Sequence, residues 1–286
     1  MKPFVNKSLF VVSLILLGTL FFSSCSKDKN DTETALVPRL ATISEFDNKG
    51  VLYYSEAYQY DKQNRLIKVT FNNGYVFTFE YSGSTVIEKG YAVQGFEGSS
   101  VLQLNNQGLC ISMSGGASYN TKYEYYDDNY KKSTVDESPL SVKTYNFKVS
   151  QENIETSYYE EKSKTVNSAF VKDVAHFNSS FLSSNLEMRF ALQNRLKSTA
   201  AGYNIKTEYL FYTDKLSTLG NANRGISFYG KQNKNPIKKE FITYTDTLTR
   251  TDTYNVYNST YEFDAKNRIT KQLFDDGYSY VYTYIN

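Results

Sequence analysis

Tyr58-Gln59-Tyr60-Asp61-Lys62-Gln63-Asn64-Arg65-Leu66 returns as Tyr261-Glu262-Phe263-Asp264-Ala265-Lys266-Asn267-Arg268-Ile269. The match runs on without a gap. Gly74-Tyr75 aligns with Gly277-Tyr278, and Phe77, Phe79 and Tyr81 align with Tyr280, Tyr282 and Tyr284, at a constant offset of 203 residues. Weaker copies stand at Phe46-Asp47-Asn48-Lys49-Gly50-Val51 and Leu104-Asn105-Asn106-Gln107-Gly108-Leu109.

The chemistry of the unit makes it a β-hairpin. Asp47, Asp61, Asn105 or Asp264 opens a four-residue turn, where a side-chain oxygen accepts backbone N–H groups. Three positions on, Gly50, Asn64, Gly108 or Asn267 tolerates the left-handed backbone that closes a type I turn with a bulge. The flanks alternate: odd positions from Tyr75 to Tyr81 and even positions from Tyr278 to Tyr284 are aromatic, with more polar residues between them. Period two with one aromatic face describes a half-buried antiparallel sheet. The expected fold is therefore all-β: an antiparallel meander of hairpins forming a large curved sheet or half-open barrel, with few short helices.

Further strands are expected at 119–126, 142–150, 154–160, 205–212, 226–229 and 239–244, and a hairpin over 84–104 around Gly95-Phe96-Glu97-Gly98. Asp214 to Arg224 reads as a loop with one short helical turn. In 166–197, the spacing of Phe170, Val174 and Phe177 suits a helix, while the Ser and Asn content suits strand or loop. No Pro- or Gly-rich linker divides the chain, so residues 40–286 are expected to form a single domain.

The N-terminus carries an address. Lys2 and Lys7 precede an apolar run from Leu9 to Phe22 that is short for a transmembrane helix and suited to a secretory signal. Phe22-Ser23-Ser24-Cys25 resembles a lipoprotein signal-peptidase site of the relaxed kind found in Bacteroidetes. That resemblance implies a signal peptide over 1–24, an acylated Cys25, and attachment to the outer membrane through it. Residues 25–39 then form a flexible tether, with 26–34 free of apolar side chains. The charges behind Cys25 resemble a surface-export signal, which implies display on the cell surface; a periplasm-facing domain is the alternative.

Composition narrows the partners. Loss of residues 1–24 removes two of 32 basic side chains and none of 30 acidic ones, leaving a net charge of zero. A neutral chain offers no nucleic-acid footprint. With Cys25 acylated, Cys110 has no intrachain partner, so the fold rests on its core without a disulfide framework. The 27 tyrosines and 19 phenylalanines supply that core, or a platform on which sugar rings stack.

Tyr-x-Tyr-Asp-x-x-Asn-Arg-Leu resembles the YD-type repeat of RHS and teneurin-like shells. The chain is also similar to an uncharacterised family of Bacteroidetes lipoproteins built on a YD-like antiparallel meander with a porin-like fold. Thr213-Asp214-Lys215-Leu216-Ser217-Thr218-Leu219-Gly220-Asn221 and the run from Phe228 to Asn235 resemble a segment of that family. The likeness covers roughly residues 40–286 and implies fold and location, with no activity attached.

Catalytic patterns are missing. His176 is the one histidine, and no Gly-x-Ser-x-Gly elbow accompanies it. Asp127-Asp128 and Glu160-Glu161 are neighbours, and adjacent strand residues point to opposite faces, a poor arrangement for paired acid and base. Asp275-Asp276-Gly277 reads as a hairpin turn. No metal site or cofactor is expected. Charges such as Lys68, Glu80, Glu124 and Lys143 along the strands argue against a transmembrane barrel. The expectation is a non-catalytic, lipid-anchored binding or scaffold protein with a glycan or protein partner. A carrier of lipid or acyl chains in a half-barrel concavity is the alternative.

Overall fold

The computed structural model describes residues 37–93, 95–115, 119–138, 141–163 and 203–285. Cys25, His176 and the ambiguous stretch 166–197 lie outside them. Residues 38–286 form one compact unit. Its strands are, in chain order, β1 Leu40–Phe46, β2 Leu52–Tyr60, β3 Leu66–Phe71, β4 Val76–Ser82, β5 Thr85–Ala92, β6 Gly95–Leu104, β7 Cys110–Gly115 and β8 Tyr119–Tyr125. They continue as β9 Lys131–Glu137, β10 Ser141–Ser150, β11 Asn153–Ser163, β12 Tyr203–Phe211, β13 Ile237–Asp246, β14 Asp252–Phe263, β15 Ile269–Phe274 and β16 Ser279–Tyr284.

The meander closes. Each strand pairs antiparallel with its chain neighbours, and β1 pairs with β16 from Leu40↔Tyr284 to Phe46↔Ser279. A half-open sheet would leave two rows of unpaired backbone groups at its edges, and closure removes both. The barrel is thus sealed where the sequence left a half-open form in view.

One turn geometry serves seven hairpins among the described residues: 47–51, 61–65, 71–75, 105–109, 126–130, 264–268 and 274–278. In each, the first residue donates its N–H to the fifth residue's carbonyl, and the fourth donates to the first residue's carbonyl. The fourth residue has a positive φ throughout, as at Asn64 (59°), Asn267 (57°) and Asn129 (68°). In the four turns that begin with Asp or Asn, one side-chain oxygen accepts two backbone N–H groups, as Asp61 Oδ1 does from Gln63 and Arg65 at 2.9 Å each. Asp61 and Asp264 then use Oδ2 to hold Arg65 and Arg268 Nε, each at 2.7 Å. Register shifts at Glu45/Phe46, Gln59/Tyr60, Gln103/Leu104 and Glu262/Phe263 mark the accompanying bulges.

The aromatic face of the repeat points into the barrel. Phe77, Phe79 and Tyr282 are buried, and Tyr81, Tyr280 and Tyr284 are half-buried against the core cluster to which Val69, Val86, Leu102 and Met113 also belong. Three tyrosines clasp the barrel in one way. Tyr81, Tyr125 and Tyr284 donate their hydroxyls to the carbonyls of Leu66, Cys110 and Ile269, each fifteen residues upstream, at 2.7–2.8 Å. The Asn105 copy is therefore a full member of the repeat: Asn105 stands to Tyr125 as Asp61 does to Tyr81 and Asp264 to Tyr284.

Two local expectations change. Ile226 to Tyr229 is not a strand but leads into a 3-10 turn at Ser227–Tyr229, between Gly225 and Gly230, both at positive φ. The β5–β6 hairpin turns just before Gly95, and 95–98 lies inside β6. Pro38 and Arg39, read from sequence as tether, are held: Asn223 donates to the Pro38 carbonyl at 2.9 Å and Ile285 to that of Arg39 at 2.9 Å.

Candidate functional site

Alternation of the hairpins puts the turns at 61–65, 105–109, 126–130 and 264–268 at the same mouth of the barrel as Pro38 and Ile285. The long 212–236 connection between β12 and β13 seals it. Bulges leave backbone groups without ladder partners, and this connection supplies them. Leu40 and Leu66 donate N–H to the carbonyls of Asn223 and Gly225 at 3.0 and 3.1 Å, Ile269 donates to Thr218 Oγ1 at 3.0 Å, and Lys231 donates to the Asn129 carbonyl at 2.9 Å. A Cβ on Gly225 would stand 2.8 Å from both Leu66 N and the Tyr60 ring, so only glycine permits this approach. Ile226, Phe228 and Tyr229 enter the core, and the Tyr229 ring meets Tyr123 edge-on at 5.5 Å.

Above this plug the interior holds an ionisable group. Glu56 is 2% exposed and accepts the Tyr58 hydroxyl. Burial pushes its carboxyl above the usual range, and the guanidinium of Arg224, from the sealing connection, pulls the other way. Cys110 is fully buried and its thiol is pushed up to about 12 by burial, the state of a packed rather than a reactive cysteine.

The outward face mixes ion pairs with exposed apolar side chains, among them Tyr158, Leu210, Tyr254 and Val256. Lys89–Glu80 at 2.6 Å, Lys148–Glu155 at 2.9 Å, Lys206–Glu208 at 2.9 Å and Lys271–Glu262 at 3.6 Å place ion pairs around the wall. Lys68 and Glu124 share this face. Lys143 belongs to the inner register, opposite Asp136 and Glu161. The neighbouring carboxylates do not act together. Glu161 accepts the Tyr159 hydroxyl at 2.7 Å, whereas Glu160 meets Lys162 at 3.3 Å; Asp275 and Asp276 bind Asn258 and the Tyr278 N–H in their turn. Among the described residues no three His, Cys, Asp or Glu side chains group as metal ligands, and no helix is long and apolar enough to cross a membrane.

One cleft opens in the wall. β11 and β12 pair only from Thr156↔Glu208 to Tyr159↔Ile205, although both strands run further. Toward the sealed mouth Asn153–Glu155 and Tyr209–Phe211 part, and the sealing connection is wedged beside them. Ile154 donates N–H to Asn233 Oδ1 at 2.7 Å, Lys234 to the Glu152 carbonyl at 3.0 Å, and Asn153 Nδ2 to Asn235 Oδ1 at 3.0 Å. A cleft of ≈ 610 Å³ remains, bounded by Tyr209, Leu210, Phe211, Asp214, Lys215 and Lys238 among others. The volume falls within the range of about 300–1,000 Å³ typical of small-molecule sites. Sequence reading did not find it. The lining residues lie on elements about 60 positions apart, and a missing stretch of pairing leaves no mark in either strand.

These features define a closed, internally packed antiparallel barrel with one mouth sealed by its own chain. No protein-family model and no curated protein matches the sequence. Among solved structures it is similar to a porin-like protein from Bacteroides uniformis, with a TM-score of 0.50 and 12% identity over 86% of this chain and 98% of that one. A match to TcdB2-TccC3 covers 79% of this chain and 13% of that chain at 10% identity, and its TM-score of 0.26 is too low for a shared fold.

Proposed function

We propose that this chain is an outer-membrane lipoprotein, held by an acylated Cys25 and displayed on the cell surface, whose barrel binds or scaffolds a glycan or protein partner without catalysing or conducting. The observation that carries the reading is the polarity of the wall. A lipid-facing barrel needs an apolar band, and each Lys facing the bilayer midplane costs about 2–4 kcal/mol. Here the buried aromatic cluster fills the inside, and on the outside ion pairs such as Lys89–Glu80, Lys148–Glu155 and Lys206–Glu208 interrupt exposed apolar side chains such as Tyr158, Leu210, Tyr254 and Val256. The porin-like relative supports association with the outer membrane, and the polar wall supports a barrel tethered to it, surrounded by water. The acyl-carrier alternative needs an apolar concavity open on one side; closure of β1 on β16 and the inserted Phe228 and Tyr229 count against it.

Membrane fractionation of the wild type and Cys25→Ala, with conductance across planar bilayers, tests the reading. Wild type in the outer-membrane fraction, Cys25→Ala released, and no conductance steps are expected. Retention of Cys25→Ala in the membrane together with steady conductance would replace the proposal with an inserted pore. Protease digestion on intact cells is expected to reach the barrel, and protection would turn it toward the periplasm.

A further inference from the structure

Closure joins the first strand to the last, but one hairpin overshoots its neighbour. β13 and β14 stay paired out to Thr245↔Asp252, whereas β15 leaves β14 at Ser259↔Phe274. The overhang lies at the mouth opposite Pro38 and the sealing connection. The Asn258 carbonyl accepts the Asp275 N–H at 3.2 Å, so the backbone groups of Asn258 point away from β13. Strand alternation turns those of Val256, Tyr254 and Asp252 the same way, where no described strand or turn pairs with them. This bare edge runs for about 17 Å. It lacks the devices that commonly guard an edge: Tyr254 is 68% exposed and Val256 45%, and 252–257 holds no lysine, proline or bulge. β6 also outruns its neighbour, leaving β7 at Ser100↔Gly115, but its overhang is broken by Gly95, Glu97 and Gly98. Carboxylates mark both ends of the β14 edge. Among the described residues Asp252 accepts hydroxyls, from Thr245 at 2.6 Å and Tyr254 at 3.3 Å, and Asp275 accepts the Asn258 amide at 2.6 Å; no Lys or Arg neutralises either. A second copy laid antiparallel on this edge would set Asp252 of each chain toward Asp275 of the other, and that repulsion disfavours self-pairing. A strand with basic ends meets the opposite condition.

We infer that the β14 edge from Asp252 to Asn258 accepts an added strand from a protein partner. The strand is an extended segment with apolar side chains beside Tyr254 and Val256 and a basic residue at each end. Backbone hydrogen bonds to the bare edge supply the attachment, and the side chains and end charges supply the choice of partner. The inference rests on the binding reading above and selects a protein over a glycan; the anchor and conductance experiments do not depend on it.

Isothermal titration of the detergent-solubilised full-length protein tests it with the end-capped peptide Lys-Thr-Val-Thr-Val-Thr-Lys, whose symmetric order suits either strand direction. Its controls are the same peptide with Glu at both ends and a form N-methylated at every residue between the lysines. The lysine peptide is expected to bind roughly tenfold or more tightly than the glutamate one, with the gap closing as salt rises. The N-methylated form, which has no inner N–H to donate, is expected not to bind. Val256→Pro removes an edge N–H that the β13–β14 ladder does not use, so the variant is expected to fold, to keep its melting temperature and to lose the peptide. Hydrogen exchange at Tyr254 and Val256 of the wild type should slow when the peptide binds, a readout that does not depend on the variant. No binding of the lysine peptide, equal binding of either control, undiminished binding by folded Val256→Pro, or unslowed exchange at Tyr254 and Val256 would each overturn the assignment. A wild type that sediments as a dimer with this edge already protected would give the edge to a second copy and overturn it too.

Discussion

Asp264 holds its turn with one oxygen and its arginine with the other. The Arg268 N–H, aided by the guanidinium and the Lys266 N–H, keeps its carboxyl below the usual aspartate range. An acid with a lowered folded pKa contributes stability that is complete above its unfolded value, about 3.9, and is lost as pH falls through the folded one. Melting followed across acid pH should therefore show a decline in wild type that is shallower in Asp264→Asn. Glu56 runs with the opposite sign: burial raises its pKa, so ionising it as pH rises opposes folding, and Arg224 offsets that cost. Arg224→Ala is expected to lose about 2–3 kcal/mol near neutral pH in denaturant titrations, and Glu56→Gln in that background to recover part of it. Gly108 gives the backbone term alone. A Cβ there meets nothing within 4 Å, yet its φ is +75°, so Gly108→Ala should cost about 1–2 kcal/mol. At this scale the sequence was readable, because an Asx oxygen and a residue suited to positive φ act within five positions of each other. It failed at 126–130, where Tyr126 stands in place of Asp, and the turn forms without that oxygen.

Between elements, the weak join is that of β11 with β12. Ile154 is buried, and its N–H depends on the side chain of Asn233 rather than on a neighbouring strand. Asn233→Ala leaves that donor unsatisfied at a cost of about 1–3 kcal/mol. Hydrogen exchange should quicken at Ile154 while staying slow at Ile242, inside the continuous β12–β13 ladder; equal protection at both would mean that the sealing connection does not hold this seam. Phe228 tests the same connection from inside. Phe228→Ala removes a buried ring and is expected to cost about 3–5 kcal/mol by denaturant unfolding. Period-two runs such as 75–81 and 278–284 announced their strands because alternation is local to each strand. The 226–229 run misled because its aromatic residues fill the core from a connection, a placement dictated by bulges on strands far away in the chain.

For the whole molecule, the antiparallel meander and its aromatic side were legible, and the number of strands and their closure were not. A meander reads the same along the chain whether its first and last strands meet or stay apart. Only the radius set by sixteen strands and their stagger brings Leu40 beside Tyr284. That meeting has a consequence for how the protein is made. β1 is completed only by Ser279–Tyr284 of β16, so one of its edges has no mate until that strand has been made. The ring cannot close before β16 is present. A chain stopped at Gly277 would keep two bare edges facing outward, and such chains should stack into polymers where the complete one stays single.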